Sequence, residues 1–303
     1  MRILISGASG LLGSASSLAL TRAGHHVIKL VRRSAQRPDE VQWDPARQEL
    51  DPRRLEGIDA VINLSGAGLA NRPWTRGYVE TLYESRVDPT RTLVRAMARM
   101  QNPPSVFLSQ SGTGYYGEAD STSVDESFPS AEDSLLADIC RRWEDAAFAA
   151  PQEVRTVVMR TGVVVTRRGG AIGKLLLPLK LGLGGPLGSG QQYWPWISLP
   201  DDVAAMEFLL RTEIRGPVNL CAPEPAQVGA LVEELGKAFG KPSRLRVPKV
   251  VLTTLLGEMA KETLLTSTRA VPGVLLEHGF TFQHPTAAAV AAWVGGPEES
   301  TVI

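Results

Sequence analysis

The chain has little cysteine and no surplus of charge. Its two cysteines, Cys140 and Cys221, give neither a disulfide framework nor the paired spacing of a metal site. A reducing, cytoplasmic setting is the expectation that follows. His25, His26, His278 and His284 add no ligand spacing, so no metal is expected. Lysine plus arginine is 32 and aspartate plus glutamate is 32, which argues against a nucleic-acid partner. No apolar run reaches the ~18 residues of a membrane span, and no membrane partner is expected. Met1-Arg2-Ile3-Leu4-Ile5 lacks the long apolar region of a signal peptide. The G-x-S-x-G of many serine hydrolases is missing too.

What is present is ordinary globular material: 303 residues, 43% hydrophobic and 21% charged. Short apolar runs at Ile3–Ile5, Val27–Val31, Ala60–Leu64, Val106–Leu108, Thr156–Met159 and Pro217–Leu220 read as buried strands. Helical stripes lie between several of them, at Leu11–Arg22, Thr75–Met100 and Asp201–Leu210. Such alternation implies a parallel sheet with right-handed crossovers. Val41–Trp43 and Gln48–Leu50 flank Asp44-Pro45 and read as a small hairpin or an extended excursion. Gln227–Phe239 reads as a helix, and 247–294 as mainly helical, broken by Pro248, Pro272 and Pro285. The fold class expected is doubly wound α/β, a Rossmann domain over 1–220 with 165–200 on the substrate side. A smaller, mainly helical domain would follow over 221–303.

Gly7-Ala8-Ser9-Gly10-Leu11-Leu12-Gly13 stands between the first strand and the first helix. The first glycine permits the tight turn, the second lets backbone approach a pyrophosphate, and the third lets helix and strand pack closely. The helix amino terminus then offers free N–H groups to the phosphates. A glycine pattern is weak alone and strong in this strand–loop–helix context. At the end of the second strand stand Val31-Arg32-Arg33, with no acidic residue before Asp39. An acidic residue there would hold the ribose hydroxyls of NAD, whereas arginine accommodates a 2′-phosphate, so NADP is the expected cofactor.

Further residues carry a resemblance: Asn63-Leu64-Ser65-Gly66 after a buried strand, and Ser109-Gln110-Ser111-Gly112-Thr113-Gly114-Tyr115-Tyr116-Gly117. With the glycine loop, these make the chain resemble the extended short-chain dehydrogenase/reductases. That resemblance implies a catalytic Ser or Thr with a Y-x-x-x-K pair, in which lysine lowers the pKa of the proton-transferring tyrosine. No tyrosine here has a lysine four residues later, and no lysine lies between Lys29 and Lys174. If Trp143-Glu144 marks the matching helix, Cys140 falls near the lysine position and Leu136 near the tyrosine position. Arg141 or Arg142 could hold a ribose but would be a poor proton shuttle.

Two later stretches narrow the resemblance. One runs from Leu181-Gly182-Leu183-Gly184-Gly185 through Gly190-Gln191 to Pro195-Trp196-Ile197; the other joins Arg269-Ala270-Val271-Pro272 to Leu275–Phe282. Over nearly the whole chain it looks like the atypical YfcH-like epimerase family, sometimes labelled SulA-type cell-division inhibitors. The family resemblance implies cofactor contacts at Gly7, Ser9, Gly10, Leu11, Leu12, Gly13, Arg32, Leu64, Ser65, Arg86 and the backbone near Val164. Ser198 and Pro200 depart from its usual Trp-Ile-His-Ile-Asp-Asp. Ser111, Tyr115 and Tyr116 are the catalytic candidates, with Gly182–Gly190 and Gln191 as a substrate lid.

Between Val154 and Pro200 the charged residues are all basic before Asp201: Arg155, Arg160, Arg167, Arg168, Lys174 and Lys180. This favours a small-molecule substrate that is anionic or nucleotide-linked. Pairing as a homodimer is implied by the superfamily resemblance alone. Two functions fit: an NADP-dependent oxidoreductase or epimerase with non-standard catalytic residues, or a non-catalytic NADP(H)-binding regulator that senses redox state.

Overall fold

The computed structural model describes residues 1–167 and 169–297, with Ala171 and Lys174 described by backbone alone. Its central sheet has seven parallel strands: β1 (Arg2–Ser6), β2 (His26–Val31), β3 (Glu40–Gln42), β4 (Ala60–Asn63), β5 (Val106–Gly112), β6 (Arg155–Thr161) and β7 (Gly216–Leu220). They lie in the order β3-β2-β1-β4-β5-β6-β7. The strand order reverses beside β1, and open α/β sheets bind ligands at such a switch point, outside the carboxyl ends of the strands.

The helices are α1 (Leu11–Arg22), α2 (Arg76–Met97), α3 (Leu135–Phe148), α4 (Gly170–Lys180), α5 (Leu199–Arg211), α6 (Val228–Ala238), α7 (Lys249–Leu256), α8 (Gly273–Glu277) and α9 (Ala287–Gly295). Alternate strand residues point to opposite faces. Ile3, Ile5, Leu108 and Met159 pack beneath Leu20 of α1 and Ala205, Met206 and Leu209 of α5. Leu4, Val61, Phe107 and Val158 pack on Leu93 and Met97 of α2 and Ala147 of α3. Both faces are covered, which is why the strands read as near-continuous apolar runs. Each such fully buried side chain contributes about 1.5–3 kcal/mol.

A further core joins α4, α6 and α9 around Trp194, Trp196, Leu231 and Val290. The residues after 221 do not all join it. Leu275 of α8 and Phe280 return to the first face of the main sheet. The prolines of the tail act as starters as much as breakers. Pro248 and Pro272 immediately precede α7 and α8, and Pro285 stands before Thr286, whose side chain caps α9. Proline weakens a helix interior, though Pro89 and Pro178 stand within α2 and α4, and its fixed φ is preset to begin a helix. The supposed hairpin at 41–50 is divided. Glu40–Gln42 adds to the main sheet as its edge strand, parallel to β2, and only a bridge between Asp44 and Glu49 closes the turn.

Candidate functional site

The glycine loop follows β1 directly. Gly7 has a positive φ of 69°, and a Cβ there would meet the Leu64 carbonyl oxygen at 2.4 Å. Gly13 is on α1, where a Cβ would lie 2.2 Å from the Gly7 oxygen. Gly10 is looser: its nearest obstacle, the same oxygen, is 3.3 Å away. Gly7 and Gly13 therefore let loop, helix and β4 close on one another, while Ser9 and Gly10 stay exposed at the rim. No side chain caps α1, so its first-turn N–H groups are left for a ligand. Leu11, Leu12 and Val164 all pack against the cluster of Ala15, Leu199 and Val203, and Val164 lies on the short strand Val163–Val165, which pairs with Trp196–Ser198.

The two arginines after β2 have different employment. Arg33 forms a forked pair with Glu40, its two nitrogens 2.8 and 2.6 Å from the carboxylate oxygens. The Arg33 hydrogen bonds hold the Glu40 carboxyl down at about 2. Arg32 is exposed and makes no ion pair among the described residues.

At the end of β4, Asn63 ties three elements together. Its side-chain oxygen accepts from Ser6 Oγ at 2.6 Å, and its amide donates to Thr90 Oγ1 at 2.8 Å. Ser65 Oγ donates to Ser6 Oγ at 2.9 Å, and Leu64 lies under Gly7. Arg86 of α2 is 7% exposed and donates to the carbonyls of Leu82 and Ala67 at 3.0 and 2.9 Å. Its guanidinium stacks 5.2 Å over Trp143, burial lowers its pKa, and no carboxylate faces it among the described residues.

The hydroxyls at the end of β5 are mostly engaged. Ser111 Oγ donates to Glu144 Oε1 at 2.7 Å. Glu144 is paired with Arg160 of β6 at 2.8 Å, both almost fully buried. Burial alone would lower the Arg160 pKa, but the Glu144 carboxylate outweighs it and holds the charge firmly. Arg160 Nη1 donates to Tyr116 Oη at 3.0 Å, and Tyr116 donates to Asn219 Oδ1 of β7 at 2.7 Å. Burial raises the Tyr116 pKa far above its ordinary value. Thus Ser111 and Tyr116 are members of a buried network that clamps β5, β6, β7 and α3. Both candidate hydroxyls are thus already hydrogen-bonded within the protein. Tyr115 differs: it is half-buried, its ring lies 3.5 Å from the Arg160 guanidinium carbon, and its hydroxyl makes no hydrogen bond among the described residues.

The helix facing this strand end is α3. Its Cys140 sits against the Gly112 carbonyl at 3.6 Å, and burial pushes the thiol up to about 12. Leu136 covers Gly114, where a Cβ would meet the leucine side chain at 2.5 Å. Cys140 and Leu136, the positions that would match Lys and Tyr if Trp143-Glu144 marks the family's helix, thus bring a neutral thiol and an alkyl group to this strand end. Glu262, from the π-helical turn Ala260–Leu265, accepts from Ser134 Oγ at 2.7 Å and Leu136 N at 3.1 Å, tying the tail to the start of α3. Arg141 and Arg142 both pair with Asp138, at 3.2 and 2.9 Å, and neither is offered to a ribose.

The other face of β5 and β6 meets the first turn of α5. Asp202 is fully buried there, and neither carboxyl oxygen has a hydrogen-bond partner. Burial raises its pKa to about 7; the neighbouring Thr161 hydroxyl, too poorly placed for a full hydrogen bond, opposes the shift, and the negative charge of Asp201 adds to it. Thr161 Oγ1 and Gln110 Oε1, on the same sheet face, also lack partners. Ser198 caps α5: its hydroxyl accepts from Asp201 N at 3.1 Å and donates to Asp201 Oδ2 at 2.8 Å. His284 Nδ1 lies 2.9 Å from that hydroxyl, so a histidine from the tail stands beside the position where the resembling family has one.

The basic run does not converge on one spot. Arg155 donates to the carbonyls of Ile214, Leu209 and Leu210 at the end of α5, and Arg160 is clamped as described. Arg167 stacks on Trp293. Arg168 and the Lys174 side chain lie outside the described residues. The glycine-rich stretch is pinned rather than loose: Gly188 N donates to Val247 O at 2.9 Å and Leu245 N to Gly184 O at 3.3 Å. Gln191 at its end is exposed. Glu144, Asn219, Asp202 and Glu262 were not singled out as functional candidates from sequence. Trp143-Glu144 was a landmark only, and Arg160 entered only as one member of the basic run.

A doubly wound sheet, a glycine loop at its switch point and the β4–β5 end define a nucleotide-binding short-chain dehydrogenase/reductase scaffold. The chain belongs to the NAD dependent epimerase/dehydratase family, whose model matches residues 3–221. A domain of unknown function matches 247–294. The chain is 39% identical over 286 residues to Epimerase family protein MT2273 of Mycobacterium tuberculosis, covering 94% of each chain. It is 34% identical over 293 residues to Epimerase family protein SDR39U1 of Bos taurus, covering 95% of this chain and 98% of that one. The crystal structure of human epimerase family protein SDR39U1 with NADPH superposes with a TM-score of 0.91 at 30% identity, covering 97% of this chain and 99% of that one.

Proposed function

We propose that the chain is an NADP(H)-dependent oxidoreductase or epimerase-like enzyme acting on a small anionic or nucleotide-linked substrate. One observation carries the cofactor choice: Arg32 is exposed and unpaired at the end of β2, while Glu40 is consumed by Arg33. A guanidinium there suits a 2′-phosphate, and no carboxylate is free to hold a ribose diol. The NADPH in the human relative supports the same choice. The uncapped start of α1 would take the pyrophosphate, with Gly7, Ser9, Gly10, Leu11, Leu12 and Gly13 around it. Leu64, Ser65 and the Val164 backbone would line the path to the nicotinamide, which supplies or accepts hydride when bound. Arg86, buried without a carboxylate, would gain its counter-charge from a bound anion. Of the three candidate hydroxyls, that of Tyr115 makes no hydrogen bond among the described residues, which supports it as the group that moves a substrate proton.

The engagement of Ser111 and Tyr116, with Leu136 and Cys140 on α3, favours a second reading. A protein that binds NADP(H) without turnover needs only different partner affinities in its two cofactor states. Tryptophan-to-NADPH energy transfer on wild type and Arg32→Ala tests the cofactor half. NADPH should bind tighter than NADH, and Arg32→Ala should lose about ten- to a hundredfold for NADPH only. Equal affinities in wild type would overturn it. Tyr115→Phe then separates the two readings. Loss of NADPH oxidation on a carbonyl or nucleotide-sugar pool, with binding intact, supports the enzyme. Tight binding with no oxidation in wild type supports the regulator.

A further inference from the structure

Helix α7 is turned inside out. Of its eight residues only Leu252 is buried, while Val250 and Leu255 are 72% and 74% exposed and Val251 and Leu256 also face solvent. A surface helix ordinarily directs its apolar stripe to the core. The apolar surface continues beyond it. Leu245 just upstream is 54% exposed, and its N–H bonds Gly184 of the facing segment. On that segment Leu181 and Leu183 are each 63% exposed. Between Glu234 and Glu258 there is no acidic residue and there are five basic ones. Lys241, Arg244, Arg246 and Lys249 are exposed and form no ion pair among the described residues.

We propose that this face, α7 with Leu181, Leu183 and Leu245 and their rim of cations, docks on an anionic phospholipid surface. The exposures decide against a groove for a peptide: Val250, Leu255, Leu181, Leu183 and Leu245 are each more than half uncovered, stand proud and leave no concave wall. The charge decides against a second copy, because a two-fold contact would set like cations against one another. The headgroup boundary of a bilayer accepts both features, taking protruding apolar side chains to a shallow depth and neutralising lysine and arginine with phosphate. No helix among the described residues is long and apolar enough to cross a membrane, so the contact is peripheral. The surface revises the expectation of no membrane partner and does not depend on the cofactor reading.

The test is co-sedimentation of the full chain with vesicles of phosphatidylcholine alone and of an equal mixture of phosphatidylcholine and phosphatidylglycerol. Binding is expected only to the mixture, and should fall as salt rises. The triple variant Arg244→Gln, Arg246→Gln, Lys249→Gln should bind on the order of a hundredfold more weakly. Val250→Ser with Leu255→Ser should bind at least tenfold more weakly. Both substitution sets lie on exposed side chains, so thermal midpoint and NADPH affinity should match wild type. Equal binding to both vesicle types, or none to the mixture, overturns the proposal. So does a dimer by light scattering that Leu255→Ser dissolves, or an acidic protein whose capture survives lipid removal and needs the same leucines.

Discussion

Two regions at the carboxyl edge of one sheet use their polar groups in opposite ways. Around β1, α1 and the end of β2, groups are left open: the start of α1 is uncapped, Ser9 and Gly10 are at the rim, and Arg32 is unpaired. Between β5, β6, β7 and α3 a chain of polar groups is spent inside: Ser111 on Glu144, Glu144 on Arg160, Arg160 on Tyr116, Tyr116 on Asn219. An unmet donor or charge at a surface is capacity for a ligand. The same group buried must be matched at once, because an orphan there is destabilising. The end of β5 is where the resembling family keeps its active site, and here two of its hydroxyls are held by buried partners.

The clearest way to break this contrast is to unpair the closed region. Glu144→Gln leaves the Arg160 guanidinium buried without a counter-charge, and denaturant unfolding should show a loss of about 3–5 kcal/mol. A loss below ~1 kcal/mol, the range of a surface pair, would mean the network is wet and open.

Asp202 sharpens the contrast from the opposite face, as a buried carboxyl left without partners. Its folded pKa is about 7 against an ordinary 3.8. Its contribution to stability is thus complete below the ordinary value and is lost as pH rises through 7. The span corresponds to roughly 4 kcal/mol at full ionisation. Asp202→Asn should remove that slope, raising the thermal midpoint over wild type at pH above ~8 and little near pH ~4. Parallel pH profiles would refute the assignment.

The open region can be broken by one methyl group. Gly13→Ala drives a Cβ into the Gly7 oxygen and should weaken NADPH binding by at least about a hundredfold, or about 2.7 kcal/mol. Gly10→Ala meets only a marginal contact and should lose less than about tenfold. Equal losses in a fluorescence titration would show that the loop is not held as described. The smallest effect distinguishes the two neighbouring tyrosines. Tyr116→Phe strands Asn219 Oδ1 and should cost about 1–2 kcal/mol of stability. Tyr115→Phe should leave stability within about 0.5 kcal/mol.

The parallel sheet and the glycine loop were legible because they rest on local pattern. Buried parallel strands are apolar throughout, and a loop that packs backbone on backbone at Gly7 and Gly13 admits no side chain. The edge strand Glu40–Gln42 was half-legible, since three residues carry too little pattern to choose between hairpin and sheet. Arg32 and Arg33 were read together, but only Glu40, folded back beside them, separates the paired arginine from the free one. Ser111 was read as a candidate from its place in the family pattern, and Tyr116 from its glycine-rich loop at the carboxyl end of a strand. Their partners Glu144, Arg160 and Asn219 lie 33, 44 and 103 residues away along the chain.

The sequence by itself determined the scaffold, the cofactor class its loop admits and the absence of a tyrosine–lysine pair. Those depend on residue type and short spacing. The tertiary structure alone decided which charges are matched, which hydroxyl remains unengaged, and that α7 shows its apolar side to solvent. These are properties of distance between residues remote in sequence. Burial and pairing, unlike periodicity, are fixed only when the chain has closed on itself.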